Sequence, residues 1–265
     1  MRELLQNVAM KMVDWAIAAT VQPEPPQSAL RNCKIISHRG EHDNITVIEN
    51  TLTAFSNARA NGVWGIECDI RWTSDLVPVI THDSCGRRLF GNPNQIRDMT
   101  FTELRTQMPL IPSVAELIAE FGTNTHLMLE IKDEHYPQPQ KQLDILRDHL
   151  EPLSPGVHYH FLALDPLLFE RVSFVEPKYC FPVSETNVRN LSDAAIDQSF
   201  GGLTGHYLLL GNALKERHSQ QGQRIGTGFV SSKNCLFREL NRGVEWIFSN
   251  DAVKIQRIRD RYVQD

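Results

Sequence analysis

Apolar segments of strand length alternate along this chain with segments of helical periodicity. Lys34 to Ser37 reads as a strand running into His38. Asn50 is placed to cap a helix carrying Thr53, Phe55 and Ala58, which Gly62 would stop. Trp64 to Ile70 is a second strand, Thr73 to Leu76 a turn, and Val77 to Ile80 a short extended arm leading to His82. Thr100-x-x-Glu103 and Ser113-x-x-Glu116 are capping boxes, in which each Glu reaches back to the cap amide. Gly122 would end the helix that the second box opens. His126 to Ile131 is a strand, as are segments near 158–164, 179–183, 202–207 and 224–230. Trp246 to Ser249 is the last strand, and Asn250 or Asp251 caps a final helix to about Val263.

About eight strands separated by helix-length segments imply a parallel sheet with helices outside it. Eight such units in about 250 residues fit a TIM (β/α)8 barrel. The alternative, a doubly wound open sheet, lacks support, because neither a G-x-G-x-x-G nor a phosphate-binding P-loop is present. Ahead of the first strand, Leu4, Val8, Met12 and Trp15 fall on one helical face, and a Pro-rich connector spans Gln22 to Ser28. The expected organisation is an N-terminal amphipathic helix and connector over 1–32, then a single barrel over 33–265.

Composition adds limits. With 265 residues, 41% hydrophobic and 22% charged, the chain can bury a core without staples. The net charge of -5 and pI near 6.1 give no pull toward nucleic acid or an anionic membrane, so any phosphate must be held by local positive charge. Five cysteines without a C-x-x-C pair read as buried reduced thiols. Met10 to Val21 is cut by Lys11 and Asp14, and reads neither as a membrane span nor as a secretory signal. The expected location is cytoplasmic.

The strand ends carry ionisable residues, where a barrel places its reactive groups. Strand side chains alternate, so Glu67 and Asp69 share one face while Cys68 points to the other, and Glu130 shares a face with Lys132. If those faces look inward, three carboxylates converge at the barrel mouth. A hard divalent cation would resolve their repulsion, and oxygen ligands suit Mg2+ or Ca2+ better than zinc. His38 and His82 are the candidate proton carriers, each adjoining a charged group, Arg39 or Asp83. Arg39 and Lys132 supply positive charge for a phosphate. No role is expected for His42, His126, His135, His149, His206 or His218, and His158-x-His160 reads as two polar residues on one strand face.

The ordered set His38-Arg39-Gly40, Glu49-Asn50-Thr51, Glu67-x-Asp69, Thr73-x-Asp75, Pro78-Val79-x-x-His82-Asp83 and Glu130-x-Lys132 resembles the glycerophosphodiester phosphodiesterase family, among the phosphatidylinositol-phospholipase-C-like barrels. The resemblance runs from about Ile35 to Lys132. It implies hydrolysis of small glycerophosphodiesters to glycerol 3-phosphate and an alcohol. It implies Glu67, Asp69 and Glu130 as metal ligands, and His38 and His82 as the acid–base pair. Arg39, as a catalytic residue too, and Lys132 would sit on the phosphate, with Glu49, Asn50 and Asp83 in support. It also implies that 78–83 is a hairpin-like excursion outside the barrel count.

The second half departs from the family pattern. Ala163-Leu164 precede Asp165-Pro166 where Ser-Phe is usual, Gly228-Phe229-Val230-Ser231 replace Trp-Thr-Val-Asn, and Ser249-Asn250 replace Thr-Asp. These positions fall on the substrate side. Two alternatives therefore stay open: a lysophospholipid or sphingolipid phosphodiesterase on the same barrel, and a non-catalytic phosphate-polyol binding protein. An exposed apolar rim would favour the first.

Overall fold

A computed structural model of the chain describes residues 17–264. The helix expected through Leu4, Val8, Met12 and Trp15 lies outside the described residues. Among the described residues, no helix is long and apolar enough to cross a membrane.

Eight parallel strands close into a barrel: β1 (Lys34–His38), β2 (Gly65–Trp72), β4 (His126–Ile131), β5 (Tyr159–Ala163), β6 (Cys180–Ser184), β7 (Gly202–His206), β8 (Arg224–Gly228) and β9 (Trp246–Ser249). Each pairs with the next in the chain, and the pairing of β1 with both β2 and β9 closes the ring. The remaining strand, β3 (Pro78–Ile80), runs antiparallel to the end of β2, with Ile70 opposite Ile80 and Trp72 opposite Pro78. The turn at Thr73–Leu76 is too short for a parallel crossover, so this arm stays outside the barrel count.

Helices wrap the outside. Short α1 (Gln27–Asn32) precedes β1, α2 (Leu52–Ala60) follows it, and α3 (Arg87–Phe90) lies in the excursion after β3. Then come α4 (Phe101–Gln107) and α5 (Val114–Phe121), both opened by complete capping boxes. The later crossovers are α6 (Pro139–Leu150), α7 (Val188–Asp197), α8 (Asn212–Ser219), α9 (Lys233–Asn241) and α10 (Ala252–Asp260). Strand alternation sorts the side chains. Ile66, Cys68 and Ile70 of β2, with Leu127 and Leu129 of β4, enter the outer core between barrel and helices. Ile36, Met128, Leu162, Phe181, Trp246 and Phe248 form a separate buried cluster within the barrel. That apolar floor lowers the dielectric beneath the mouth.

Three sequence expectations change; one is the final helix, α10, which ends at Asp260 rather than near Val263 and whose N-cap residue Asp251 makes no side-chain cap bond. The α2 cap is Thr51, whose hydroxyl accepts from the Ala54 amide; Asn50 is left-handed, at φ 56°, and cannot cap. A cap needs an extended backbone, which Thr51 has. The strand expected to reach Val230 ends at Gly228, because Phe229 turns left-handed, at φ 67°.

The two histidines His126 and His160 lie nearly fully buried at the opposite, N-terminal end of the barrel. The Val157 carbonyl can only accept, so His126 Nδ1 donates to it at 2.8 Å; His126 Nε2 then accepts from His160 Nδ1, also at 2.8 Å. Burial pushes both imidazoles down, His126 to about 4 and His160 to about 3. The unfolded chain therefore takes up protons that the folded one refuses. Stability from this pair is present above about pH 6.5 and falls as the pH drops toward 4, by on the order of a few kcal/mol. Urea unfolding at pH 7 and pH 5 should show that slope in the native protein and a flatter one in His160→Gln. An equal slope in both would remove the pair as its source.

Candidate active site

The register of three adjacent strands assembles the acidic cluster. His38 of β1 pairs with Glu67 of β2, and Asp69 of β2 pairs with Glu130 of β4. One oxygen from each of Glu67, Asp69 and Glu130 lies within 4.8 Å of the others. All three carboxylates are buried. Burial and the facing carboxylates drive the Glu67 carboxyl well above its usual range, and Glu130 is raised for the same reasons. Asp69 goes the other way: burial alone would raise it, but Lys132 and Arg39 hold it down. Lys132 Nζ donates to Glu130 Oε1 at 2.5 Å and to Asp69 Oδ1 at 3.2 Å. Arg39 Nε stands 3.4 Å from Asp69 Oδ2.

Five charges thus share one buried spot, three negative and two positive, leaving a deficit of one positive charge when all are ionised. Glu67 Oε1 is buried without a hydrogen-bond partner. An unpartnered carboxylate oxygen in an all-oxygen cluster fits a hard cation.

Arg39 is aimed by the backbone. Arg39 and Gly40 are both left-handed, at φ 60° and 81°, so the chain doubles back at the end of β1. A Cβ at Gly40 would sit 2.8 Å from Ala54, so only glycine fits this turn. The Arg39 amide donates to Glu67 Oε2 at 3.2 Å and its Nη1 to Glu49 Oε1 at 3.0 Å. Asn50, released from capping, donates Nδ2 to Asp69 Oδ2 at 2.8 Å.

The two histidines are held by different partners. His38 Nδ1 donates to Asn250 Oδ1 at 2.6 Å, leaving Nε2 unprotonated and 3.7 Å from Glu67 Oε2. Burial and then the Arg39 charge lower His38 to about 4. His82 Nδ1 donates to Asp83 Oδ1 at 2.7 Å, which likewise leaves Nε2 as the reactive nitrogen. Asp83 Oδ2 accepts from Arg88 Nε at 2.7 Å. Burial opposes ionisation of Asp83, but the hydrogen bonds from Arg88 and His82 outweigh it and keep the carboxyl low.

His38, Arg39, Glu67, His82, Glu130 and Lys132 line one side of a cavity of about 650 Å³. Its other side is mostly apolar: Leu162, Leu164, Val183, Leu209, Phe229 and Phe248. Leu164, Leu209 and Phe229 are 41%, 39% and 52% exposed at the mouth. Of the three sequence departures, Leu164, Gly228, Phe229, Ser249 and Asn250 line this cavity, whereas Ala163 and Val230 are packed in the outer core and Ser231 lies outside the lining. So does His206, to which the sequence assigns no role; its ring stacks on Phe229 with centroids 5.1 Å apart. Arg88 and the Asn250 contact are likewise missing from the sequence-based site. A cation six residues after His82 is the available signal for Arg88. The Asn250 bond spans 212 residues and has none.

The C-terminal mouth of a closed parallel barrel thus gathers an acidic cluster, two imidazoles and the cations Arg39 and Lys132, where barrels of this kind carry their reactive groups. Residues 38–158 match the model of the Glycerophosphoryl diester phosphodiesterase family. It is 31% identical over 136 residues to glycerophosphodiester phosphodiesterase 1 of Bos taurus, covering 43% of this chain and 40% of that protein. The Rattus norvegicus protein of the same name is 35% identical over 123 residues, covering 44% and 33%. The chain thus spans less than half the length of these mammalian relatives. In fold it is similar to a glycerophosphodiester phosphodiesterase of Thermotoga maritima, with TM-score 0.71 and 20% identity, over 85% of this chain and 98% of the other. An Oleispira antarctica phosphodiesterase, whose structure holds the product sn-glycerol-3-phosphate, superposes with TM-score 0.73 and 19% identity, over 86% and 96%.

Proposed function

We propose that this chain is a metal-dependent phosphodiesterase that hydrolyses glycerophosphodiesters to glycerol 3-phosphate and an alcohol. The observation that carries the proposal is the presentation of two imidazole Nε2 atoms at one cavity beside a buried cluster with a positive-charge deficit of one. A divalent Mg2+ or Ca2+ on Glu67, Asp69 and Glu130 turns that deficit into a surplus of one, which a singly charged phosphodiester neutralises. When bound, such an ion withdraws charge from the phosphate oxygens. Arg39 and Lys132 hold the phosphate.

The residues support a two-step displacement. His38, kept neutral by burial, takes the proton of the glycerol 2-hydroxyl as that oxygen attacks phosphorus. His82, oriented by the bond from its Nδ1 to Asp83, gives a proton from Nε2 to the alcohol oxygen as the P–O bond breaks. In the second step water attacks the cyclic phosphate and gives its proton to His82. His38 returns its proton to the 2-oxygen as the ring opens.

A second reading shares this chemistry. The exposed apolar rim of Leu164, Leu209 and Phe229 favours a diester carrying one aliphatic chain, such as a lysophospholipid. A panel of glycerophosphodiesters and one monoacyl analogue, assayed with Mg2+ and with Ca2+, separates the readings. Glycerol 3-phosphate release from the unacylated diesters is expected. Turnover of the acylated compound alone would select the second reading, and binding without product from any of them would leave a binding protein.

A further inference from the structure

Arg88 sits on α3, in the excursion outside the barrel, and does not line the cavity. Its guanidinium nevertheless joins the two halves of the proposed machinery. Nε donates to Asp83 Oδ2 at 2.7 Å, and Asp83 Oδ1 accepts from His82 Nδ1 at 2.7 Å. Nη1 and Nη2 donate to Glu49 Oε2 and Oε1, at 3.1 and 2.6 Å. Glu49 Oε1 in turn accepts from Arg39 Nη1 at 3.0 Å. A continuous chain of charge-assisted bonds therefore runs from His82 through Asp83, Arg88 and Glu49 to Arg39.

We infer that Arg88 is a positioning residue that sets His82 and Arg39 in register for the reaction. The inference rests on the phosphodiesterase reading above. The planar fork of a guanidinium fixes the spacing of its two carboxylate partners, which a point charge on a lysine does not. Loss of Arg88 frees Asp83 to turn, and with it the ring orientation and tautomer of His82. It also removes the bidentate partner of Glu49, leaving Arg39 and Asn44 Nδ2 on that buried carboxylate, with His42 Nε2 3.8 Å away. Arg39 then redistributes between Glu49 and Asp69. Because the Arg88 side chain is 44% exposed, solvent fills its place and the fold tolerates its removal.

The test is steady-state hydrolysis of glycerophosphocholine with saturating Mg2+ or Ca2+, with thermal unfolding as the folding control. Arg88→Ala is expected to lose roughly tenfold to a hundredfold in kcat, with a smaller change in KM and little change in Tm. Arg88→Lys keeps the charge but not the fork, is expected to lose about tenfold, and serves where Arg88→Ala unfolds. Millimolar guanidinium ion should restore part of the Arg88→Ala activity through the exposed site. Asp83→Asn with Arg88→Ala should lose about as much as the worse single change. Wild-type kcat in both Arg88 variants overturns the inference, as does additive loss without guanidinium rescue, which is what a merely structural role gives. No turnover by the unaltered protein of any diester overturns the phosphodiesterase reading itself, and this inference with it.

Discussion

Replacing His38 or His82 with alanine is expected to lower turnover by about 10²–10⁴-fold, the usual contribution of a positioned acid or base. Both changes should leave the fold intact. Each imidazole is partly exposed at the mouth, and the hydrogen-bond partner of its Nδ1, Asn250 or Asp83, can bind water instead. The two variants should differ in rescue. A substrate with a strongly acidic leaving alcohol needs no proton at the first step, so it should recover much of the His82→Ala loss when release of that alcohol is read, while opening of the cyclic phosphate stays slow. It should recover little of the His38→Ala loss, because the attacking hydroxyl still needs its base. Circular dichroism and a pair of choline and nitrophenol diesters are sufficient. Near-wild-type turnover in either variant would take that residue out of the scheme. The opposite pattern of rescue would exchange the roles of the two histidines.

Removal of the metal should have an effect of comparable size. Excess chelator is expected to reduce hydrolysis to background, and Mg2+ or Ca2+ to restore it. The carboxylate variants separate the electrostatics of folding from those of catalysis. Glu67 is destabilised by its own charge, since burial and its neighbours Asp69 and Glu130 oppose ionisation. Glu67→Gln removes that repulsion, so metal affinity and activity should fall while Tm holds or rises. Asp69 is different because it neutralises Lys132 and Arg39. Asp69→Asn leaves buried Lys132 and half-buried Arg39 undercompensated and should cost on the order of 2 kcal/mol in stability as well as activity. A matching drop in Tm for both variants would contradict this division. Full activity in excess chelator would point to a metal-free barrel in which Arg39 and Lys132 replace the cation.

Much of this arrangement is legible in the amino-acid sequence. Strands buried on both faces must be nearly continuous apolar runs, so β2 and β4 are easily found, and their few polar residues stand out. The two-residue period then puts Glu67 with Asp69, and Cys68 behind them in the outer core. The capping boxes at Thr100 and Ser113 carry their geometry in four residues, and both are complete. What local sequence does not carry is register between distant segments. Arg88 meets Glu49 across 39 positions, and Asn250 meets His38 across 212. Asn50 and Thr51 are both good caps by residue type, and only the left-handed backbone at Asn50 decides between them. His206 looks idle in the sequence because its partner Phe229 lies on the next strand's loop, in a conformation aromatic residues rarely adopt.

In the proposed reaction water is added at phosphorus, within this cavity, by these residues. Hydrolysis of glycerophosphocholine in 18O-enriched water, with Mg2+ or Ca2+ present, tests it most directly. One 18O atom is expected in the glycerol 3-phosphate and none in the choline, with labelling lost in His38→Ala and His82→Ala. Diester that binds but returns unchanged, or label in the released alcohol, would contradict it.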